Sequence, residues 1–328
     1  MSSPALSRVP TRARIPRLLT PPTVLAAVAV LTLGLAACGS DEDQAPPPAP
    51  TGCATDSTSG QSAAALLPVP PAKVTVQSAG ADPRTVALSA FDRSNAQPAR
   101  LVTTSTASAP SDDAGQATTA TTVDLPLTAR VNCTDATDID LRIGAASSPD
   151  STLNLALKAQ DGSRAGMSIG PGVVPISLRI LPGKDADDNA RQAVEESLVA
   201  TFQRSVTLPT EPIGVGAQWE AIRTVNAGAT VRQTINATLT ARDGDRLTID
   251  YTIDESPVDS TFRLPDGGVL TIDSYSMSGS GSVVVDLARG VPVSGQSKIS
   301  GGRTLVGADQ SQPFSQLLGF ESTWSPGQ

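Results

Sequence analysis

The chain has 328 residues and a formal net charge of −8, from 32 acidic and 24 basic side chains, and it contains no histidine. The acidic balance argues against nucleic acid as a partner, because such partners require a basic surface. The absence of histidine excludes serine–histidine and cysteine–histidine catalysis and imidazole metal sites. We therefore predict that the protein is not an enzyme and has no catalytic residues, no bound metal and no cofactor.

Residues 1–37 have the layout of a secretory signal peptide. A basic beginning precedes an apolar stretch over about 24–37, which is shorter than the ~20 residues that cross a bilayer. The stretch ends in Leu35-Ala36-Ala37-Cys38-Gly39, which resembles the lipobox of bacterial lipoproteins. That resemblance implies cleavage before Cys38 and lipid on its sulfur and its new amino terminus, which is enough for stable membrane anchoring. The alternative is an ordinary secretory signal with an incidental cysteine.

Residues 38–65 are rich in Asp, Pro, Ser, Thr and Gly. Such a segment buries little apolar surface, so we predict an extended, disordered tether between the lipid and the domain. The two cysteines beyond Cys38 are Cys53 and Cys133. In an exported protein they can form a disulfide, and two unpaired thiols are the alternative. Nothing near them in sequence supplies the cation or base that a reactive thiol needs.

Residues 66–305 are predicted to form a β-rich domain, because apolar and polar residues alternate along most of this region. The clearest signal is a hairpin over 231–253 with Asp243-Gly244 at its turn. Further strands are expected over 123–133, 139–143, 153–159, 269–277, 282–287 and 291–299. The segment 105–118 is expected to be an exposed loop.

One helix is predicted near 185–205, where acidic residues at the start are followed by an apolar stripe. The stripe consists of Ala190, Val194, Leu198 and Phe202. We therefore predict a mainly β (α+β) fold, a curved antiparallel sheet or half-barrel with one main helix packed on it.

The segment from Leu208 to Trp219 reads L-P-T-E-P-I-G-V-G-A-Q-W. It resembles the L-P-x-E-P-[VI]-G-x-G-A-x-W segment of an uncharacterised lipoprotein family of high-GC Gram-positive bacteria. That resemblance implies an envelope lipoprotein and brings no catalytic residues with it. The prolines and glycines predict a rigid loop that places Trp219 against the sheet. We predict a structural role for Trp219. A binding role would require Trp219 to line an open groove.

Residues 306–328 are predicted to be a C-terminal tail, and they are rich in aromatic residues. Phe314, Phe320 and Trp324 lie here, in a chain with only five Phe, two Tyr and two Trp. The tail either closes the β core as a flap or contacts a hydrophobic groove.

These observations predict a membrane-anchored, extracytoplasmic lipoprotein that binds a lipid or another apolar molecule. The arrangement is similar to the half-barrel lipoproteins, which shield lipids in a concave apolar face. Two alternatives stay open, namely a scaffold that recruits envelope proteins and a carboxylate-dependent hydrolase. An apolar cavity of several hundred cubic ångströms would favour the first function. A filled core with an exposed apolar patch would favour the scaffold. Paired acidic side chains in a cleft would favour the hydrolase.

Overall fold

The alternating segments of the sequence form long strands in the computed structural model, which describes residues 52–58, 66–110, 116–184, 187–226, 229–264 and 267–327. The predicted signal peptide, Cys38 and most of the predicted tether lie outside these described residues. The strands are β1 (Leu66–Pro68), β2 (Lys73–Ser78), β3 (Gln97–Pro110), β4 (Gln116–Val131), β5 (Asp138–Ile143), β6 (Arg164–Gly170), β7 (Val174–Leu181), β8 (Gln218–Asn226), β9 (Ala229–Asp243), β10 (Arg246–Arg263), β11 (Val269–Asp286), β12 (Ser294–Val306) and β13 (Phe314–Pro326). The helices are α1 (Ser151–Leu157) and α2 (Asp188–Gln203).

All thirteen strands belong to one antiparallel sheet, in the order β1-β7-β6-β5-β4-β3-β13-β12-β11-β10-β9-β8-β2. Most neighbours in this order are consecutive in the chain, as expected for strands joined by hairpins. The sheet is open, with β1 and β2 at its two edges. The prediction of a mainly β, antiparallel fold is confirmed.

The hairpin of β9 and β10 shows how the sequence pattern builds the sheet. The two strands pair on either side of the two-residue turn Gly244-Asp245, and Gly244 has the positive φ of +59° that glycine tolerates best. Every second residue is buried, and the buried apolar set of the hairpin is Val231, Ile235, Ala237, Leu239, Leu247, Ile249, Tyr251 and Ile253. The hairpin prediction is confirmed, and we call the face of the sheet that bears these residues the inner face.

Helix α2 covers part of the inner face. Asp187 caps it, because its carboxylate accepts hydrogen bonds from the backbone N–H groups of Asn189 and Ala190. The predicted stripe, Ala190, Val194, Leu198 and Phe202, is buried in a core cluster with the inner residues of β3 to β7. The helix begins a little later than predicted, and residues 185–186 lie outside the described residues.

The prediction of a single helix is wrong, because the segment expected to be a strand over 153–159 forms α1 instead. The carboxylate of Asp150 accepts a hydrogen bond from the Leu153 N–H at 2.7 Å, which caps the helix at its start. Of its leucines, Leu157 is fully buried whereas Leu155 is 70% exposed. The alternating leucines are therefore divided between the core and solvent by a short helix that packs against α2.

The described parts of the segment 105–118 are strand and not loop. They form the end of β3 and the start of β4, and the two strands stay paired as far as Pro110 opposite Gln116. Small residues, mostly Thr, Ser and Ala, make up this part, and its described side chains are exposed or half-buried. Because neither side of the strands is buried here, apolar and polar residues do not alternate in the sequence. The preference of Thr for extended backbone is the signal that remains.

The predicted C-terminal tail contains a strand near the centre of the sheet. Strand β13 lies between β12 and β3 and pairs with both over ten or more residues. Its inner residues include Phe320 and Trp324, which are 6% and 7% exposed. The β-rich domain therefore continues past the predicted boundary at residue 305, as far as Pro326.

Residues 52–58 of the predicted tether pack against the other side of the sheet, the outer face. Cys53 and Cys133 are joined by a disulfide. Ala54 forms a parallel bridge with Asn132, and Thr58 is buried against Gly166, where a Cβ atom would collide with it. The ordered domain therefore begins before residue 66.

We expect the disulfide to contribute about 4 kcal/mol to the free energy of unfolding, because it closes a loop of 80 residues in the unfolded chain. The Cys53→Ser/Cys133→Ser variant should unfold at lower urea concentration, and the reduced wild-type protein should match it. Equal unfolding midpoints for the oxidised wild type and the variant would contradict this expectation.

Candidate functional site

The inner face has two separate covers, and a cleft lies where they meet. Helix α2 covers β3 to β7, and the segment 205–217 packs on β8 to β10. The cleft lies beneath the carboxyl end of α2, over β10 to β13. The turns between β6 and β7 and between β11 and β12 close its sides, and its cavity volume is about 70 Å³.

The floor of the cleft includes two small side chains, Ser297 and Ser322, in line with Gly281 on the next strand. Gly281 pairs with Ser297, and Ser297 pairs in turn with Ser322, so three neighbouring strands present small residues in one row. The ring of Tyr251 lies over Gly281, where a Cβ atom would come within 2.5 Å of it. Burial raises the pKa of the Tyr251 phenol, and a hydrogen bond with Ser297 opposes the rise. The phenol is therefore neutral at physiological pH.

The walls of the cleft are mostly apolar. The Phe202 and Trp324 rings lie 6.2 Å apart between their centroids. Val206 and Val291 also line the cleft and are buried. Val173 lines it with a φ of +55°, a conformation that β-branched residues rarely adopt. Such backbone strain persists only where the surrounding packing holds it, and Val173 contacts both core clusters.

A buried polar cluster lies beside the cleft at the end of α2. The Glu255 side chain is fully buried and forms an ion pair with Arg204 at 3.1 Å. Gln233 donates a hydrogen bond to Glu255 at 3.0 Å, and the Tyr275 phenol donates another at 3.3 Å. Burial, and then the charge of Glu255, raise the pKa of Tyr275 above its ordinary value. Tyr275 is therefore a hydrogen-bond donor to Glu255 at physiological pH.

Arg204 connects this cluster to the cleft, which its side chain also lines. Its guanidinium lies 5.1 Å from the centroid of the Phe320 ring, in a cation–π contact. Its Nη1 group donates to the carbonyl of Ala200 at 3.3 Å. Its Nε is buried and has no hydrogen-bond partner among the described residues. Arg204 thus holds the end of α2 on the sheet and keeps one donor unused.

A second buried arginine fixes the segment that follows α2. Arg223 donates to the carbonyl of Ser205 at 2.6 Å and to the hydroxyl of Thr207 at 3.1 Å. Burial lowers its pKa to about 10, so the guanidinium stays charged at neutral pH. These bonds hold the start of the segment 205–217 against β8.

The predicted site residues are only partly brought together. Trp324 lines the cleft, and Phe320 lies beneath Arg204 at its margin. Trp219 is fully buried away from the cleft and donates its Nε1–H to the carbonyl of Thr207 at 2.9 Å. Phe314, at the start of β13, is 41% exposed. The Cys53–Cys133 disulfide lies on the outer face, and Cys38 is outside the described residues.

Several cleft residues were not singled out from the sequence. Arg289, Val291 and Val173 lie in turns with no recognisable motif. Arg204 is visible in the sequence only as a basic residue in the last turn of a helix. Its pairing partner Glu255 is 51 residues away in the chain, and no local pattern connects the two.

Comparisons with known proteins identify no family. Neither a family model nor a curated protein matches the chain. Among solved structures, the chain is similar to lipovitellin, in a structure that describes lipid–protein interactions, with 10% sequence identity and a TM-score of 0.41. The similarity covers 71% of this chain and 25% of the lipovitellin chain.

Within the described residues, no helix has the length and apolar character needed to span a bilayer. The same residues contain no group of three or more acidic, cysteine or histidine side chains arranged to bind a metal ion.

We expect Glu255→Gln to lower the free energy of unfolding by about 3 kcal/mol, because it leaves the Arg204 charge buried without a counter-ion. Urea unfolding measures this loss. Glu321→Gln is the matched control, because its ion pair with Lys298 is more than half exposed and should contribute at most about 1 kcal/mol. Equal losses for the two variants would contradict the role assigned to Glu255.

Proposed function

We propose that this chain is a membrane-anchored, extracytoplasmic lipoprotein whose β-rich domain binds the apolar part of a small ligand in the cleft beneath α2. The observation that carries the proposal is the cleft itself, a gap between two core clusters with Trp324, Phe202 and Val291 around it. Removing apolar surface from water is favourable, so a ligand that entered between the two clusters would be stabilised by contact with this lining. The proposal also includes a non-enzymatic role and the curvature of a half-barrel.

The size of the cleft limits what it holds without rearrangement. Its volume of about 70 Å³ does not reach the several hundred cubic ångströms that would have favoured this function by size, and it is far below the ~300–1,000 Å³ typical of pockets for drug-sized ligands. A long acyl chain therefore enters only if a wall moves. The walls belong to two different core clusters, so such a movement would spare most contacts within each cluster but would disturb Val173 and the Arg204–Glu255 ion pair, which join the two.

The alternative of an envelope scaffold has less support from the sheet edges. Strand β1 has three residues and β2 has six, so each edge exposes few backbone groups to a partner strand. Strand β2 begins with Lys73, and short edges with lysine are devices by which proteins prevent edge-to-edge pairing. The hydrolase alternative lacks paired carboxylates in the cleft, since its described lining includes neither Asp nor Glu.

The membrane anchor is proposed from the lipobox resemblance at Cys38. We also propose membership in the lipoprotein family that shares the 208–219 segment. In this chain the segment covers β8 to β10, with Leu208, Ile213 and Trp219 fully buried or nearly so. Its resemblance to other lipoproteins therefore concerns a structural cover of the sheet.

The chain's two tryptophans allow a direct test of apolar binding. Trp219→Phe leaves Trp324, in the cleft, as the single tryptophan. We expect 9,10-dibromostearate, added below its micelle concentration, to quench the fluorescence of this variant, because bromine quenches tryptophan at contact. Trp324→Phe is the matched control, since it leaves only Trp219, which is buried elsewhere. Absence of quenching in the Trp219→Phe variant, or equal quenching in both variants, would refute the proposed binding site.

The anchor has its own test in the full-length chain expressed in a bacterium that lipidates exported proteins. We expect Cys38→Ser to move the protein from the membrane fraction to the soluble fraction, because the substitution removes the acceptor sulfur. Immunoblots of the two fractions measure the change. Cys53→Ser should remain with the membrane. Retention of the Cys38→Ser protein in the membrane fraction would overturn the anchor proposal.

A further inference from the structure

Two arginines line the cleft, and its lining among the described residues includes no carboxylate. Arg204 lies at the end of α2, and Arg289 lies in the turn between β11 and β12. In both residues Nε is buried and has no hydrogen-bond partner in the described part of the chain. Leaving a buried charged donor unpaired costs free energy, so an acceptor that reached either Nε would satisfy a donor that the described residues leave unpaired. This positive character is local, because the chain as a whole is acidic.

Arg289 is the stronger candidate for contact with a charged ligand. Its Nη2 group donates to the carbonyl of Pro98 at 2.9 Å, which holds the side chain in place with a neutral partner. Within the described ranges, no carboxylate lies at ion-pair distance from it. Asp286 acts on it only at longer range and forms its ion pair with Arg246. Burial lowers the pKa of Arg289, as expected for a cation whose charge is incompletely compensated.

Arg204 is less available to a ligand. Glu255 offsets its charge at 3.1 Å, and two further contacts, with Ala200 and Phe320, already engage the guanidinium. Its unpaired Nε can donate one hydrogen bond to a ligand, but Glu255 already compensates the positive charge of the side chain. The net positive charge of the cleft is therefore concentrated at Arg289.

We infer that the ligand is an amphiphile with one anionic head group, a carboxylate or a phosphate, bound by Arg289, and with its apolar chain against Trp324, Phe202 and Val291. The inference rests on the proposed function, since it assigns a head group to the ligand of the same cleft. Charge-assisted hydrogen bonds between arginine and such head groups are among the stronger polar interactions in proteins. A neutral lipid can accept a hydrogen bond through an ester or hydroxyl oxygen, but it leaves the charge of Arg289 without a counter-ion.

The first test compares two quenchers that differ only in the head group. In the Trp219→Phe protein we expect 9,10-dibromostearate to quench Trp324 at about ten-fold lower concentration than its methyl ester, because the ester carries no charge. Dodecyl phosphate, as a competitor, distinguishes phosphate from carboxylate as the preferred head. Acetate and inorganic phosphate should not displace the quencher, since they lack the chain.

The second test assigns the head-group contact to one residue. We expect Arg289→Gln, introduced into the Trp219→Phe protein, to remove the difference between acid and ester. Arg84→Gln is the matched control, because it removes a positive charge from a side chain that is 44% exposed and does not line the cleft. It should preserve the ten-fold difference. Circular dichroism and urea unfolding verify that both variants fold.

The outcomes separate the two proposals. If neither the acid nor the ester quenches Trp324, apolar binding in the cleft is refuted. If both quench at the same concentration, apolar binding stands and the anionic head group is refuted. If the difference persists in Arg289→Gln, the assignment to Arg289 is refuted. The comparison of acid with ester needs no change at Arg289, so it decides the head group even if that variant does not fold.

Discussion

The fold depends on covering one apolar face of a very wide sheet. Thirteen strands at ~4.8 Å spacing extend over roughly 58 Å when laid flat, whereas the 16 residues of α2 span only about 24 Å. Laid across the strands, the helix would reach over about five spacings, which is enough for the five strands β3 to β7 of its core cluster. The remaining inner face needs a second cover, and the irregular segment 205–217 supplies it. A junction between the two covers is therefore unavoidable, and the cleft lies there.

Charged side chains hold this junction where apolar packing is incomplete. Arg204 joins the end of α2 to Glu255 in the middle of the sheet, and Arg223 fixes Ser205 and Thr207 just beyond it. Buried ion pairs contribute little net stability compared with apolar contacts, but breaking them is costly. Their effect here is to set the position of the chain as it leaves α2.

Strongly periodic elements were predictable from the sequence. The β9–β10 hairpin and the buried stripe of α2 follow from apolar periodicity and recognisable turn or capping residues, and both are in the structure. Segments with weaker patterns were not predictable. The leucines over 153–157 alternate like a strand, yet Asp150 caps a helix there. The Thr-rich ends of β3 and β4 have no apolar alternation, yet they pair as strands, because backbone hydrogen bonds do not require a buried face.

By itself, the sequence determined the mainly β class, the faces of the long strands, the helix near 185–205 and the resemblances that motivate the anchor at Cys38. These features depend on residues that are close in the chain. The tertiary structure alone decided the strand order, the central position of β13 and the site, which joins Phe202, Arg289 and Trp324. These residues are separated by tens of positions, and which of them meet depends on strand pairing across the whole sheet. Local periodicity contains no information about such pairing, and for that reason the cleft was visible only in the folded chain.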